Sequence, residues 1–192
     1  MKIKRIVCGA YEENAYLVND SVLIDPGDGL GALTKQCKKL SAILLTHGHF
    51  DHTIACAPLQ KAFGAKVYID MNDAPMLTDQ ALSAYDPAAC SLELPSELDF
   101  CELGSEAFGL KVLRTPGHSK GSVCFYSEDE GILFSGDTLF KAGFGRMDLT
   151  GGSAIDMRRS LFELFKLPDD VTVYPGHGDS TTIGAEKRRY HR

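Results

Sequence analysis

Seven consecutive residues, Thr46-His47-Gly48-His49-Phe50-Asp51-His52, constrain this chain more than any other stretch, because three of its histidines and a carboxylate crowd into them. They follow Ala42-Ile43-Leu44-Leu45, an apolar run with the length and branching of a buried strand, so the histidines read as a loop leaving a strand end. On extended backbone side chains alternate, which sends His47 and His49 the same way. A turn at Asp51-His52 then aims those two at a neighbouring point, so one loop can serve two metal ions. Gly48 lets the backbone pass close to whatever the histidines hold.

The chain's 192 residues, 44% of them apolar, suffice for a proper core, and one domain over 1–192 is expected. A net charge of -6 gives no overall footprint for nucleic acid. The N-terminal Met1-Lys2-Ile3-Lys4-Arg5 meets Glu12 and Glu13 before a signal-peptide core can form, and no apolar run reaches membrane-spanning length. A cytoplasmic protein without membrane partners is the expectation. Six cysteines, with no Cys-x-x-Cys pair, read as small core thiols in a reducing compartment.

Short apolar runs at 4–7, 16–18 and 22–24 predict an antiparallel meander, broken by Asp25-Pro26-Gly27-Asp28-Gly29. Leu33, Cys37 and Leu40 predict an amphipathic helix over 30–40, and residues 54–63 a second one ending at Gly64 before a strand over 66–69. Residues 71–98 read as a short helix near 73–77 and a long loop of the kind that borders binding sites. Strands follow at 100–103, 110–113, 122–126 and 132–134, the last two joined across Asp129-Glu130-Gly131. Gly151-Gly152-Ser153 caps a helix over 154–165 whose apolar face is expected from Ile155, Leu161, Leu164 and Phe165. A strand over 171–174 and a terminal helix or tail over 183–192 complete the chain.

Three more segments repeat the arrangement of the first loop: Thr115-Pro116-Gly117-His118, Phe134-Ser135-Gly136-Asp137 and Tyr174-Pro175-Gly176-His177. Each time a strand stops, a glycine turns the backbone, and a potential ligand follows, as a metal centre on one rim of a sheet requires. This set, with Leu23-Ile24-Asp25-Pro26-Gly27, resembles the metallo-β-lactamase-fold hydrolases, and within them the hydroxyacylglutathione hydrolase (glyoxalase II)-like branch. The resemblance implies an α/β protein, an αββα sandwich of two mixed sheets flanked by helices. It also implies that His47, His49 and His118 hold one metal, that Asp51, His52 and His177 hold a second, and that Asp137 bridges them.

Such an inventory suits a borderline cation such as Zn(II), which takes imidazole nitrogen and carboxylate oxygen. Mixed His and Asp donors suit Fe and Mn as well, so two divalent ions, zinc with iron or manganese as alternatives, are expected. Two ions bring four positive charges, and Asp51 and Asp137, counted as catalytic as well as metal-binding, return two. That surplus favours ionising a bridging water near neutral pH and gripping the oxygen that gains charge when a carbonyl is attacked. Asp25 is a candidate for orienting a ligand histidine from behind.

The glyoxalase II-like pattern places Arg146 on the acyl-glutathione substrate, a guanidinium suiting a carboxylate. The chain departs from the full-length enzymes in two ways. It ends soon after His177 where they continue into a helical domain, and Asp148 stands where they carry an aromatic residue near the basic one. The reading is therefore a thioesterase of the short single-domain kind, acting on S-lactoylglutathione or another acyl thioester. The alternatives are a persulfide dioxygenase, a lactonase or β-lactamase, and, against the acidic balance, a nuclease. A structural or metal-storage role is disfavoured because structural zinc sites are closed and cysteine-rich, and none of the cysteines joins this pattern.

Overall fold

The computed structural model describes residues 1–190. They divide into two compact units, Met1–Leu103 and a second beginning at Gly104. The first unit carries β1 (Ile3–Cys8), β2 (Glu13–Val18), β3 (Val22–Ile24), α1 (Leu30–Gln36), β4 (Ala42–Leu44), α2 (Phe50–Thr53), α3 (Cys56–Phe63), β5 (Lys66–Ile69) and β6 (Phe100–Glu102). Its six strands form one mixed sheet in chain order, β1 to β3 as the expected antiparallel meander and β3 to β6 parallel. Every residue of β2, β3 and β4 is buried, the environment that nearly continuous apolar runs require. Leu33, Cys56 and Leu59 of the helices pack with Leu17, Leu23 and Ile43 of the sheet. Because β3 and β4 are parallel, the segments that leave them, Asp25 and Thr46-His52, start from the same rim.

Two helix expectations change in this unit. The helix predicted over 30–40 stops at Gln36, where Cys37 turns extended, and Leu40 reaches the core outside the helix. The helix predicted over 54–63 begins two residues later, at Cys56, because the Ala55 N–H donates to the Pro26 carbonyl and a separate helical turn, α2, precedes it. Asp51 and His52 thus sit in the helical turn α2 rather than in an open turn. α3 ends at Gly64, as predicted, which adopts the left-handed conformation, and a single 3-10 turn at Ala74–Leu77 precedes the long loop.

The second unit carries β7 (Glu106–Ala107), β8 (Leu110–Arg114), β9 (Val123–Ser127), β10 (Ile132–Gly136), α4 (Ala154–Leu164), β11 (Thr172–Pro175), β12 (Thr181–Thr182) and α5 (Ile183–Tyr190). The sheet order is β12-β11-β10-β9-β8-β7, antiparallel except between β10 and β11. It follows that β8, β10 and β11 all run the same way and end on one rim. The residues that leave them are His118, Asp137 and His177. β7 and β12, two residues each, are too short to show a period in sequence.

Ser153 caps α4 by accepting the Asp156 N–H. Met157, Ser160, Leu161 and Leu164 of α4 are its buried face, packed with Leu133, Val173 and Ile183. Ile155, expected on that face, is 68% exposed, because about 100° per residue carries it to the opposite side from Leu161 and Leu164. No helix among the described residues is long and apolar enough to cross a membrane. All six cysteines are free thiols, with Cys8, Cys37, Cys56 and Cys124 buried, Cys90 half-buried and Cys101 exposed. His191, at the end of the predicted terminal helix, lies outside the described residues.

Candidate metal centre

In the first unit the donors collect around Asp25. This residue leaves β3 in the left-handed region, at φ 50°, and is buried. Its carboxylate accepts the Thr46 N–H at 2.7 Å, the Thr46 hydroxyl at 2.6 Å and His52 Nδ1 at 3.2 Å. An ionised carboxylate only accepts, so Nδ1 of His52 carries the proton and Nε2 keeps its lone pair. The Thr46 hydroxyl spends its hydrogen on Asp25 and lies 3.0 Å from Nδ1 of His47, so it accepts there and fixes the same tautomer. Asp25, His47 and His52 each offer a ligand atom, all within 4.8 Å of one another.

The rings of His47 and His49 are 4.8 Å apart and those of His47 and His52 4.2 Å, so the loop gathers its imidazoles as the alternation argument required. Asp51 Oδ2 lies 3.8 Å from His52 Nε2. Gly48 has a different reason from the one expected. A Cβ there would meet the Met76 side chain at 2.6 Å and the Asp73 carbonyl at 2.8 Å, while its N–H donates to the Asp73 carboxylate at 3.1 Å. The close approach is to the 3-10 turn that pins the loop.

The second unit arranges its donors around Asp137. His118 Nε2 and His177 Nε2 lie 3.5 and 3.7 Å from Asp137 Oδ2. Those separations fit donors sharing an ion, since two ligands at about 2.0–2.1 Å and a tetrahedral angle stand roughly 3.4 Å apart. His118 Nδ1 lies 2.8 Å from the Arg146 carbonyl, which can only accept, so Nε2 is again the unprotonated nitrogen. Room for this contact comes from Gly145, where a Cβ would fall 2.1 Å from the Asp137 carbonyl and 2.8 Å from His118 Nδ1. The donor sets of both units, imidazoles beside carboxylates with the tautomers of His47, His52 and His118 fixed, fit divalent metal ions.

Arg146, expected to meet a substrate carboxylate, also braces a predicted ligand through its backbone carbonyl. Its guanidinium forms a two-point pair with Asp148, Nε and Nη2 each 2.7 Å from a carboxylate oxygen. That pairing holds the exposed Asp148 carboxyl down to about 2, the Arg146 hydrogen bond being the main cause.

Glu13 escaped the sequence reading. It opens β2, is 1% exposed, and places Oε1 3.8 Å from His52 Nδ1, so two buried carboxylates flank one imidazole. The available signal was a charged residue heading a strand whose last four residues, Ala15 to Val18, are apolar. Burial, with the Glu13 charge second, pushes the neighbouring Cys8 thiol up to about 12, and burial raises Cys56 as well. These thiols stay protonated beside the donors.

The family model of the metallo-beta-lactamase superfamily matches residues 8–177, and the chain belongs to that superfamily. The probable metallo-hydrolase YqgX of Bacillus subtilis is 35% identical, over 97% of this chain and 95% of that one. The hydroxyacylglutathione hydrolase GloC of Haemophilus influenzae is 32% identical, over 98% and 96%. Among solved structures, BLEG-1 B3 metallo-beta-lactamase superposes with a TM-score of 0.90 at 35% identity, covering 97% of both chains. TTHA1623 in a di-iron-bound form superposes at 0.88 with 40% identity, covering 96% of this chain and 97% of that one. The fold is thus the one expected, two mixed sheets flanked by helices.

Proposed function

We propose that the two units work as one hydrolase domain around a pair of divalent metal ions, cleaving an acyl thioester such as S-lactoylglutathione. In this reading His47, His49 and His118 hold one ion, Asp51, His52 and His177 the other, and Asp137 contributes to both. The observation that carries it is that His47 and His52 in one unit and His118 in the other are fixed as Nε2 donors at strand rims, in chains of hydrogen bonds that end on a carboxylate or carbonyl. Ions bound there supply Lewis acidity that ionises water near neutral pH and polarises a carbonyl. The remaining work falls to the chain. Asp25 holds His52, Thr46 holds His47 and the Arg146 carbonyl holds His118, each in the tautomer whose Nε2 carries no proton.

The GloC relative, matched over almost its whole length, supports the thioester substrate, and the di-iron TTHA1623 structure supports two ions with iron beside zinc as candidates. Arg146 is the group for a substrate carboxylate, reached by exchange with the exposed Asp148. A second reading, hydrolysis of a cyclic amide, is favoured by the superposition on BLEG-1. One panel separates them: S-lactoylglutathione, other acyl thioesters, lactones and nitrocefin, with metal content measured and His52→Ala and Asp137→Ala run alongside. Thioester turnover lost in both variants, with about two ions per chain, is the expected result. Nitrocefin turnover without thioester turnover overturns the substrate, oxygen consumption on a persulfide overturns hydrolysis, and less than one ion per chain overturns the dinuclear centre.

A further inference from the structure

The outward face of α4 is not that of an ordinary solvated helix. Ile155 and Phe162, two turns apart, are 68% and 63% exposed, and Lys166 lies 4.9 Å over the Phe162 ring. Beside Phe162 a groove of about 480 Å³ is lined by Phe144, Met157, Phe165 and Tyr190 among others. Along one flank of the stripe run Asp156, Arg159 and Glu163, and Lys166 continues the row in the turn just past the end of α4, the four alternating in sign. The flank now satisfies itself in part, through Arg159 to Asp156 and Lys166 to Glu163.

That flank has a further property. Reversed about Leu161, it sets Asp156 opposite Lys166 and Arg159 opposite Glu163, so every position faces its opposite charge. Two helices related by a two-fold axis perpendicular to both pack antiparallel with like flanks together, which is the reversal required. We propose that α4 is a self-association surface whose occupant is the α4 of a second copy of this chain. Phe162 of each copy then lies beside Phe162 of the other, next to the groove, and Ile155 is covered near the end of the second helix. Four ion pairs flank the aromatic centre, two Arg159–Glu163 and two Asp156–Lys166. The apolar centre supplies the affinity and the alternating charges set the antiparallel register.

The test uses the full chain, with mass followed by light scattering over a concentration series. The wild type is expected to move from one to two chain masses as concentration rises. Phe162→Glu is expected to remain monomeric with its thermal melt unchanged. Arg159→Glu and Glu163→Arg each put like charges opposite one another and should weaken association roughly tenfold or more. Mixed one to one, these two variants restore both pairings, so a mixed dimer should reappear. A wild type that stays monomeric throughout overturns the proposal, as does a dimer indifferent to Phe162→Glu. Failure of the two charge variants to recover on mixing overturns the antiparallel register and with it the proposal.

Discussion

Replacing Asp25 with asparagine tests the site with the least disturbance to the backbone, because asparagine tolerates the left-handed conformation that Asp25 adopts at φ 50° about as well. The amide oxygen can still accept the Thr46 N–H now held at 2.7 Å. Its NH2 group, however, faces His52 Nδ1, now 3.2 Å from a carboxylate oxygen. Two donors cannot share that contact, so His52 must move its proton to Nε2 or lose the bond. With the proton on Nε2 it is no longer a ligand. Loss of a hydrogen bond that orients a ligand histidine costs about 10–100-fold in metal affinity, or roughly 1.4–2.7 kcal/mol. Competition with a chromophoric chelator measures the affinity, and elemental analysis after desalting counts the ions. The expected result is one ion lost or weakly held while the other is retained, with the fold intact by circular dichroism. Two ions bound at wild-type affinity would refute the tautomer argument, and with it the role given to Asp25.

The other predictions concern the second unit and the thiols. Gly145→Ala drives a Cβ to 2.1 Å from the Asp137 carbonyl and 2.8 Å from His118 Nδ1; it should cost about 1–3 kcal/mol in urea melts and lower metal content, and an unchanged metal count would show that the contact is dispensable. Because the Asp148 pKa is lowered in the folded chain, its pairing with Arg146 stabilises above the ordinary carboxylate range and is lost only as pH falls through about 2. From pH 5 to 9 a substrate carboxylate must therefore compete with Asp148, so Asp148→Asn should lower KM for an anionic thioester roughly two- to five-fold at unchanged kcat, and no change in KM would remove Arg146 from substrate binding. A disulfide reagent at pH 8 should label Cys101 fast and Cys90 more slowly in the native chain, sparing Cys8 and Cys56, whose thiols are pushed up by burial; rapid labelling of Cys8 would contradict that burial.

Much of this architecture was legible because the elements that place the donors are strands with apolar runs, β4 and β10 fully buried and β8 and β11 buried in part. An apolar run bounded by a turn and followed by histidine carries its own boundary, and β4, β8, β10 and β11 lie within two residues of their predicted spans. Helices were less legible where tertiary contacts decide their ends. Nothing in the pattern from Leu30 to Leu40 says that Cys37 turns extended, nor does the run from Ile54 to Phe63 reveal that the Ala55 N–H is drawn to Pro26. Ile155 was misplaced because a helix with Met157 and Ser160 on its inner face tolerates an outward isoleucine, and periodicity weighs hydrophobicity without knowing its partner. For the candidate site, donor types could be read from spacing, but their supports could not. Glu13 is remote in sequence from His52, and the Arg146 contact to His118 is made by a backbone carbonyl, which no side-chain pattern encodes.

The two units meet the same local problem in related ways, and the exception explains Asp25. A strand that delivers a ligand at its end must change direction within a residue or two, and the sharp changes use left-handed backbone: Gly136 at φ 48° just before Asp137, Gly117 at φ 146° just before His118. At the end of β3 the left-handed residue is an aspartate. A non-glycine there costs roughly 1–2 kcal/mol, yet a glycine would leave the Thr46 N–H, the Thr46 hydroxyl and His52 Nδ1 without the carboxylate they share. A hydrogen bond to a buried charged group contributes about 1.5–3 kcal/mol, so even one of the three offsets the strain, and the position is better filled by the residue that is conformationally less suited to it. Strain at Asp25 is therefore the local consequence of using a turn residue to hold Thr46 and His52, whereas Gly117 and Gly136 only have to turn the chain.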